Sequence, residues 1–281
     1  MTIAFATCSW LPAGSDEVRD LIAALAPLGI EAEPVVWDGD ADWSRYDLVV
    51  IRSTWDYTSR RDQYVAWAES LPRVLNPAEI VRWNTDKRYL RDLAAAGLPV
   101  VPTLWDPDEI PSAWPEYVIK PAVSIGSGDT ARWGPGEDER ARAHLRSLRE
   151  AGRTVMVQPY LSAVDSAGET ALVFCDGEYS HAGRKAQILT AGAGVQGSVR
   201  GDATRGQVTA AAATEAELDV ATRALAAVPG GGDLLYARVD LVPGPDGDPM
   251  IIELELTEPN LYLQHGPGSA RRFAKAIAAR L

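Results

Sequence analysis

The chain has 281 residues, a formal net charge of −12 at pH 7 and a hydrophobic content of 46%. This length fits one large domain or two to three small ones, and the apolar content is ordinary for a globular protein. The acidic balance argues against nonspecific binding to nucleic acid, and no apolar run reaches the length of a membrane-spanning helix, so neither a nucleic acid nor a membrane is expected as a partner.

The amino terminus and the cysteines indicate the compartment. No basic stretch precedes the first apolar residues, so the terminus is predicted to be a strand and not a signal peptide. Two cysteines, Cys8 and Cys175, fit neither a disulfide framework nor a zinc site. A reducing cytoplasm is therefore the expected location.

The first sixty residues alternate between strand and helix patterns. A strand ends near Thr7, a helix follows its predicted N-cap Ser15, and strands follow over residues 30–38 and 46–57. The unbroken apolar run over 48–51 is typical of a parallel strand that is covered on both faces. The order predicts a small doubly wound domain.

Ligands of such sheets bind beyond the carboxyl ends of the strands, where Arg52, Ser53, Asp56 and Tyr57 fall. Arg52 could clamp a substrate carboxylate through two parallel hydrogen bonds, and Asp56 could hold its amino group. A salt bridge between Arg52 and Asp56 within the loop is the equally weighted alternative.

After this domain the predicted strands come in pairs, which favours an α+β region. Asn84 or Thr85 is expected to cap a helix. A hairpin is expected to turn at residues 176–177, and a loop is expected over 191–206.

Two apolar strands near the carboxyl end carry Arg238, Asp240, Glu253 and Glu255 in their middle. Burying carboxylates is costly unless they are paired or hold a metal ion. If the hairpin folds symmetrically about residues 246–247, Asp240 lies opposite Glu253 and Arg238 lies opposite Glu255. One face would then hold three carboxylates and one guanidinium.

Three carboxylates that face one way form a hard oxygen site suited to Mg²⁺. Two such ions, about 3.5–4 Å apart, suit phosphoryl transfer. The alternative, of equal weight for this hairpin alone, is a salt-bridge ladder on an exposed sheet face. The opposite face would be apolar, with Val239 and Leu241 across from Ile252 and Leu254.

Lysine is rare in this chain, and Lys120 ends a predicted strand just before the glycine-rich stretch 124–128. A lysine there can contact phosphates as a point charge, and the N–H groups of the loop can cradle phosphate oxygens. The loop matches neither the P-loop nor the dinucleotide-binding pattern, so an ordinary hairpin turn is the alternative.

A strand that reaches Pro159 leaves part of its backbone unpaired. Such a backbone can hydrogen-bond an adenine, while Asp165 or Glu169 could accept hydrogen bonds from ribose hydroxyls. Glu169 could equally be a solvated strand residue.

Taken in order, these elements resemble the ATP-grasp family of carboxylate-amine ligases over about residues 84–260. The matching residues are Lys87, Lys120, Pro121, Gly126, Gly128, Gln158, Pro159, Tyr160, Leu161, Arg238, Asp240, Glu253 and Glu255. Ser124, in the loop after Lys120, is a further ATP-binding candidate. Glu255 departs from the family, which usually has Asn there, so the site gains a negative charge.

The resemblance implies an α/β and α+β architecture, the ATP-grasp fold preceded by a doubly wound pre-ATP-grasp domain. Residues 1–82 would form this Rossmann-like domain and 83–281 the ATP-grasp region, with 103–160 as a smaller lid subdomain. ATP-grasp ligases are often dimers, so a homodimer is a further expectation.

The resemblance also implies the roles of the residues. Lys87 and Lys120 would contact the phosphates of ATP, and the three carboxylates would hold two Mg²⁺ ions. A substrate carboxylate would become an acylphosphate, which an amine then attacks. Arg238 would stabilise charge on the reacting carboxylate-derived centre.

Family members often place a basic residue over the phosphates or the acyl group, so Arg184 and Lys185 are further catalytic candidates. His181 is close to them in sequence and is a substrate-binding candidate, although a lone histidine is more often structural.

Three functions remain open. Several segments are similar to the actinomycete subgroup that cyclises O-ureido-D-serine to D-cycloserine, a small amino-acid-like substrate. An intermolecular ligase, like glutathione synthetase or a dipeptide ligase, is the second. A nucleotide-binding regulatory domain without catalysis is the third, and it is disfavoured because the lysines, Arg238 and the three acids occur together.

Overall fold

A computed structural model of the chain describes residues 1–197, 208–230 and 233–281, so the loop expected over 191–206 lies partly outside the described residues. The helices are α1 Asp16–Leu25, α2 Arg61–Ser70, α3 Ala78–Asn84, α4 Tyr89–Ala95, α5 Asp138–Glu150, α6 Val164–Ala167, α7 Glu215–Ala226 and α8 Ser269–Ala279. In these ranges no helix has the combination of length and apolar character that crossing a bilayer requires.

The strands form three sheets. They are β1 Thr2–Thr7, β2 Glu31–Val36, β3 Leu48–Ser53, β4 Val74–Leu75, β5 Leu104–Trp105, β6 Tyr117–Pro121, β7 Ala131–Trp133, β8 Val155–Pro159, β9 Glu169–Cys175, β10 Glu178–Lys185, β11 Val208–Ala211, β12 Tyr236–Pro243 and β13 Pro249–Glu255.

The first sheet has the order β2-β1-β3-β4 and all its pairs are parallel. Every residue of β3 is buried, as the apolar run at 48–51 predicts for a strand covered on both faces. The Ser15 side chain accepts from the N–H of Val18 and caps α1, which confirms the predicted cap.

The other two sheets are antiparallel. One has the order β5-β8-β6-β7 and packs its apolar face against α5. The other has the order β11-β10-β9-β12-β13 and packs against α4 and α7. The β9–β10 hairpin turns at Asp176 and Gly177, which both have positive φ, and confirms the expected turn.

The expected boundary between residues 82 and 83 falls inside α3, and the division into domains stays a prediction. Helix α8, at the far carboxyl end, packs against α1: Phe273 and Ile277 share one buried cluster with Val18 and Leu21. The last helix therefore covers the first sheet, although the resemblance places residues 83–281 in the ATP-grasp region.

The expected helix cap at Asn84 or Thr85 is wrong, because Asn84 ends α3 and α4 begins only at Tyr89. The amide of Asn84 instead donates to the carbonyl oxygen of Leu254 (2.7 Å) and accepts from the N–H of Leu256 (2.7 Å). A buried backbone needs such partners where a strand ends, so Asn84 fixes the end of β13 beside the site.

Candidate active site

The β12–β13 hairpin has the register predicted for its charged residues. Asp240 lies opposite Glu253 and Arg238 lies opposite Glu255. A bulge after Asp240 shifts the remaining pairs by one residue, so Leu241 lies opposite Ile251 and not Ile252.

This face is buried, which excludes the exposed salt-bridge ladder. Arg238 is 4% exposed and Asp240 is 0% exposed. The side chains of Glu253 and Glu255 keep 26% and 27% of their surface, on the side of the cavities that they line. Asp240, Glu253 and Glu255 each offer an oxygen within 4.8 Å of the others.

Two cations hold Asp240. Arg238 donates to it through Nε and Nη2 at 2.9 Å each, and Lys185 Nζ lies 2.8 Å from Oδ2. Burial by itself would raise the pKa of the Asp240 carboxyl, but these two cations outweigh it and lower the pKa to about 2. Asp240 is thus ionised at neutral pH.

The two glutamates differ in their surroundings. Lys87 Nζ lies 3.2 Å from Glu253, and Lys87 and Lys120 lower the pKa of Glu253 against the effect of burial. Burial raises the pKa of Glu255 to about 8 despite its ion pair with Arg238. Three converging carboxyl groups are the oxygen donors that Mg²⁺ prefers. The nearby cations do not offset the burial of Glu255, so a metal ion would stabilise its charged form. This donor set therefore fits the metal that the resemblance implies.

A first cavity opens over this face, between the two antiparallel sheets. Residues predicted for ATP or the metal supply much of its lining: Lys87, Lys120, Ser124, Gly126, Gln158, Pro159, Tyr160, Leu161, Glu169, Glu253 and Glu255. Gly128 is not among its lining residues, and its N–H instead donates to the carbonyl oxygen of Ile125 (3.0 Å) within the loop.

Two ammonium groups lie at this cavity. Lys87 Nζ donates to the carbonyl oxygen of Ser124 (2.8 Å), which ties the glycine-rich loop to the acids through Glu253. Burial lowers the pKa of the Lys120 ammonium to about 8, against the attraction of Glu253. An anionic ligand would restore the charge that burial disfavours.

The segment predicted to bind adenine, residues 158–161, begins where β8 loses its neighbour β5. The two-residue strand β5 pairs with β8 only at Met156 and Val157, so the backbone from Gln158 onward has no partner in β5. The Gln158 amide donates to the hydroxyl of Thr103 (2.9 Å), which orients its side chain.

Of the two ribose candidates, Glu169 lines the cavity and its carboxylate lies 2.6 Å from Lys185 Nζ. Asp165 is instead engaged by the guanidinium of Arg132 (3.1 Å) and the hydroxyl of Tyr160 (2.5 Å), and it is not among the lining residues. Asp165 is thus occupied by Arg132 and Tyr160, and its contact with a ribose stays a prediction.

Arg184 and Lys185 separate because neighbouring strand residues face opposite sides of a sheet. Lys185 contacts Asp240 and Glu169, whereas Arg184 turns away from both cavities. The prediction of a catalytic Arg184 is therefore at odds with the structure.

Most of the predicted substrate contacts are engaged elsewhere. Arg52 is 2% exposed and forms an ion pair with Glu17 at 2.9 Å. It lines neither cavity, and it does not form the alternative salt bridge with Asp56. The hydroxyl of Ser53 lies 3.0 Å from that of Thr7, which secures β3 to β1. Arg52 and Ser53 stand at the carboxyl end of β3, which helix α1, strand β1 and the loop after β13 cover, so neither side chain is available to a ligand.

Asp56 and His181 are also occupied. Asp56 accepts from Trp37 Nε1 (2.7 Å) and lies 3.3 Å from an Arg60 nitrogen. His181 Nε2 donates to the carbonyl oxygens of Leu261 (2.8 Å) and Tyr262 (3.2 Å), and burial lowers the pKa of the His181 imidazole. His181 therefore holds a loop, as a lone buried histidine usually does.

A second, smaller cavity adjoins the first and shares Lys185, Glu253 and Glu255 with it. Trp55, at the predicted ligand end of β3, also lines it, together with residues that the sequence patterns did not single out: Ile125, Glu258, Asn260 and Tyr262. The polar run that directly follows β13 was the available signal for Glu258 and Asn260. Of the predicted substrate residues, Tyr57 does reach the first cavity, where its hydroxyl is a neighbour of Glu258 and lowers the pKa of the Glu258 carboxyl against the larger effect of burial.

Comparisons with known proteins agree with this geometry. The model of the N-terminal domain of D-cycloserine synthetase DcsG matches residues 3–76. The cycloserine biosynthesis protein DcsG of Streptomyces lavendulae is 40% identical over 285 aligned positions, which cover 94% of each chain. A crystal structure of D-cycloserine synthetase DcsG superposes with a TM-score of 0.89 at 38% identity, over 100% of this chain and 99% of that one.

More distant structures share the fold. D-alanine–D-alanine ligase from Bacillus anthracis complexed with ATP has a TM-score of 0.67 at 15% identity, over 99% of this chain and 96% of that one. The RimK domain ATP-grasp protein of Sphaerobacter thermophilus has a TM-score of 0.67 at 18% identity, over 99% of this chain and 100% of that one.

The predicted architecture is thereby confirmed. The 40% identity extends over nearly the whole chain, and the acids and lysines of the site lie between two antiparallel sheets, as described above. The chain therefore belongs to the DcsG family of ATP-grasp enzymes and is an ATP-dependent ligase.

Proposed function

We propose that this ligase cyclises O-ureido-D-serine to D-cycloserine. The relatives named for cycloserine synthesis support the proposal, and one observation in the structure carries it: the small second cavity adjoins the first at the acids. A substrate carboxylate in the second cavity would face the γ-phosphate of an ATP in the first, across Lys185 and Glu253.

The chain's own residues would bind and orient the reactants. Lys87 and Lys120 would neutralise the phosphates of ATP, and Arg238 would stabilise negative charge on the activated carboxyl group. Asp240, Glu253 and Glu255 would hold Mg²⁺, and the family resemblance implies two ions. When bound, Mg²⁺ neutralises charge on the transferring phosphoryl group.

In the proposed reaction a carboxylate oxygen attacks the γ-phosphorus, which gives an acylphosphate and ADP. The ureido nitrogen bonded to oxygen then attacks the acyl carbon, loses its proton and expels phosphate. Hydrolysis of the remaining carbamoyl group releases ammonia and carbon dioxide, so one water is consumed for each ATP. Ring closure within one molecule avoids the entropic cost of a second substrate, since effective molarities of about 10⁵ M or more are known for such reactions.

Phosphate release is expected with ATP, Mg²⁺ and O-ureido-D-serine alone, without an added amine. The physical reason is that the nucleophile and the activated carboxyl group belong to one molecule. A coupled phosphate assay checks the rate, and mass spectrometry checks for D-cycloserine. A strict requirement for a second amino acid would reject cyclisation and favour the intermolecular ligase.

Lys120→Ala is expected to weaken ATP binding by about 2 kcal/mol, roughly thirty-fold in Kd, because a buried charged contact to the phosphates is lost. Calorimetric titration with a non-hydrolysable ATP analogue checks this. Lys275→Ala, which removes the same charge from an exposed position on α8, is the matched control. Equal affinities of the two variants would contradict the role of Lys120.

A further inference from the structure

Glu258 lies three residues beyond β13, where the two cavities meet, and it lines both of them. The residue is 9% exposed. The hydroxyl of Tyr57 is a neighbour of its carboxylate, and its backbone carbonyl oxygen accepts from Trp55 Nε1 (2.9 Å). The backbone at Glu258 is thus held in place before any ligand arrives.

The other carboxylates at the cavities each have a cation within 4 Å. Asp240 has Arg238 and Lys185, while Glu169 also has Lys185. In residues 1–197, 208–230 and 233–281, no Lys, Arg or His lies within that distance of Glu258.

Glu253 and Glu255 complete this contrast, since Lys87 and Arg238 pair with them. Burial raises the pKa of the Glu258 carboxyl to about 7, and the Tyr57 hydroxyl and the Lys87 ammonium oppose this only in part. Lys87 pairs with Glu253 instead, so Glu258 lacks a positive charge in direct contact, which a ligand can supply.

Glu258 also stands apart from the metal-binding acids. The described acids whose oxygens approach one another within 4.8 Å are Asp240, Glu253 and Glu255, and Glu258 is not one of them. Its missing partner is therefore better sought in the substrate than in the metal.

We propose that Glu258 binds the α-ammonium group of the amino-acid substrate and so selects for it. This inference rests on the proposed function. The second cavity offers opposite charges at separate places: Arg238 and Lys185 for the carboxyl group that is activated, and Glu258 for the ammonium group. An α-amino acid carries this pair of charges, and the ammonium group would restore the charge that burial of Glu258 disfavours.

The test compares two substrates and two proteins. The substrates are O-ureido-D-serine and its des-amino analogue, 3-(ureidooxy)propanoate, and the variant is Glu258→Gln, which keeps the shape of the side chain. The wild type is expected to prefer the amino substrate by about 100-fold in kcat/KM, a typical value for a charge-assisted hydrogen bond. In Glu258→Gln this ratio is expected to fall to about 3, through a higher KM for the amino substrate and an unchanged KM for ATP.

An unchanged substrate ratio in Glu258→Gln would overturn the proposal. So would a lower kcat for both substrates with an unchanged KM, because that pattern indicates a general base instead. Absence of wild-type turnover with O-ureido-D-serine would reject the proposed function together with this inference, whereas turnover with an unchanged ratio rejects the Glu258 assignment alone.

Two further variants keep the test decisive. Tyr57→Phe removes the hydroxyl beside the Glu258 carboxylate and is expected to lower the ratio several-fold. This variant tests the proposal even if Glu258→Gln does not fold. Glu178→Gln removes the same charge from the exposed start of β10 and is expected to keep the wild-type ratio. A wild-type ratio in Tyr57→Phe would count against the proposal.

Discussion

Glu253→Gln is expected to lower ATP-dependent phosphate release on the order of 10³-fold while the fold persists. The substitution replaces one of the three converging carboxyl groups by an amide and leaves the Lys87 ammonium without its ionic partner at 3.2 Å. Glutamine has nearly the same shape, so the backbone pairs between Glu253 and Asp240 remain. A phosphate assay at saturating ATP and thermal unfolding of the same preparation check both parts.

Asp246→Asn is the matched control for this variant. It removes one negative charge from the exposed tip of the same hairpin, and Asn-Gly remains a good turn sequence. Control activity near that of the wild type is expected. Full activity of Glu253→Gln would contradict the assignment of Glu253 to the metal site.

Arg52→Met and Glu17→Gln are each expected to lower the free energy of unfolding by about 3–5 kcal/mol, because each leaves a buried polar group without its partner. Both side chains are at most 2% exposed. Glu17 also accepts from the N–H groups of Leu261 (3.0 Å) and Leu263 (3.4 Å), so this pair anchors the loop that follows β13. Denaturant unfolding monitored by fluorescence and circular dichroism measures the effect.

The double variant Glu17→Gln, Arg52→Met is expected to lose less than the sum of the two single losses, since neither charge is then left buried alone. The pair Arg45–Glu33 provides the contrast, with side chains 61% and 47% exposed. Breaking it is expected to cost about 0–1 kcal/mol. Similar losses at the two pairs would show that burial of Arg52 does not matter.

Local patterns in the sequence determined the charged hairpin of the site. The alternation of side chains along a strand and the turn signal at 246–247 together predict that Asp240 lies opposite Glu253. The bulge after Asp240 escaped this argument, because it depends on how Leu241 and Ile251 pack in the core. The match to the ATP-grasp order of motifs then determined the family.

Tertiary structure alone decided the partners of residues that are distant in the sequence. Arg52 stands at the end of a strand where a ligand contact is expected, yet its partners are Glu17 and the carbonyl oxygen of Pro259, 207 positions away. Glu258 lies at both cavities because the loop after β13 comes close to Tyr57, which follows β3 of the first sheet. Periodicity and turn chemistry report on neighbours in the chain, whereas burial and charge pairing at a site depend on which segments the folded core brings together.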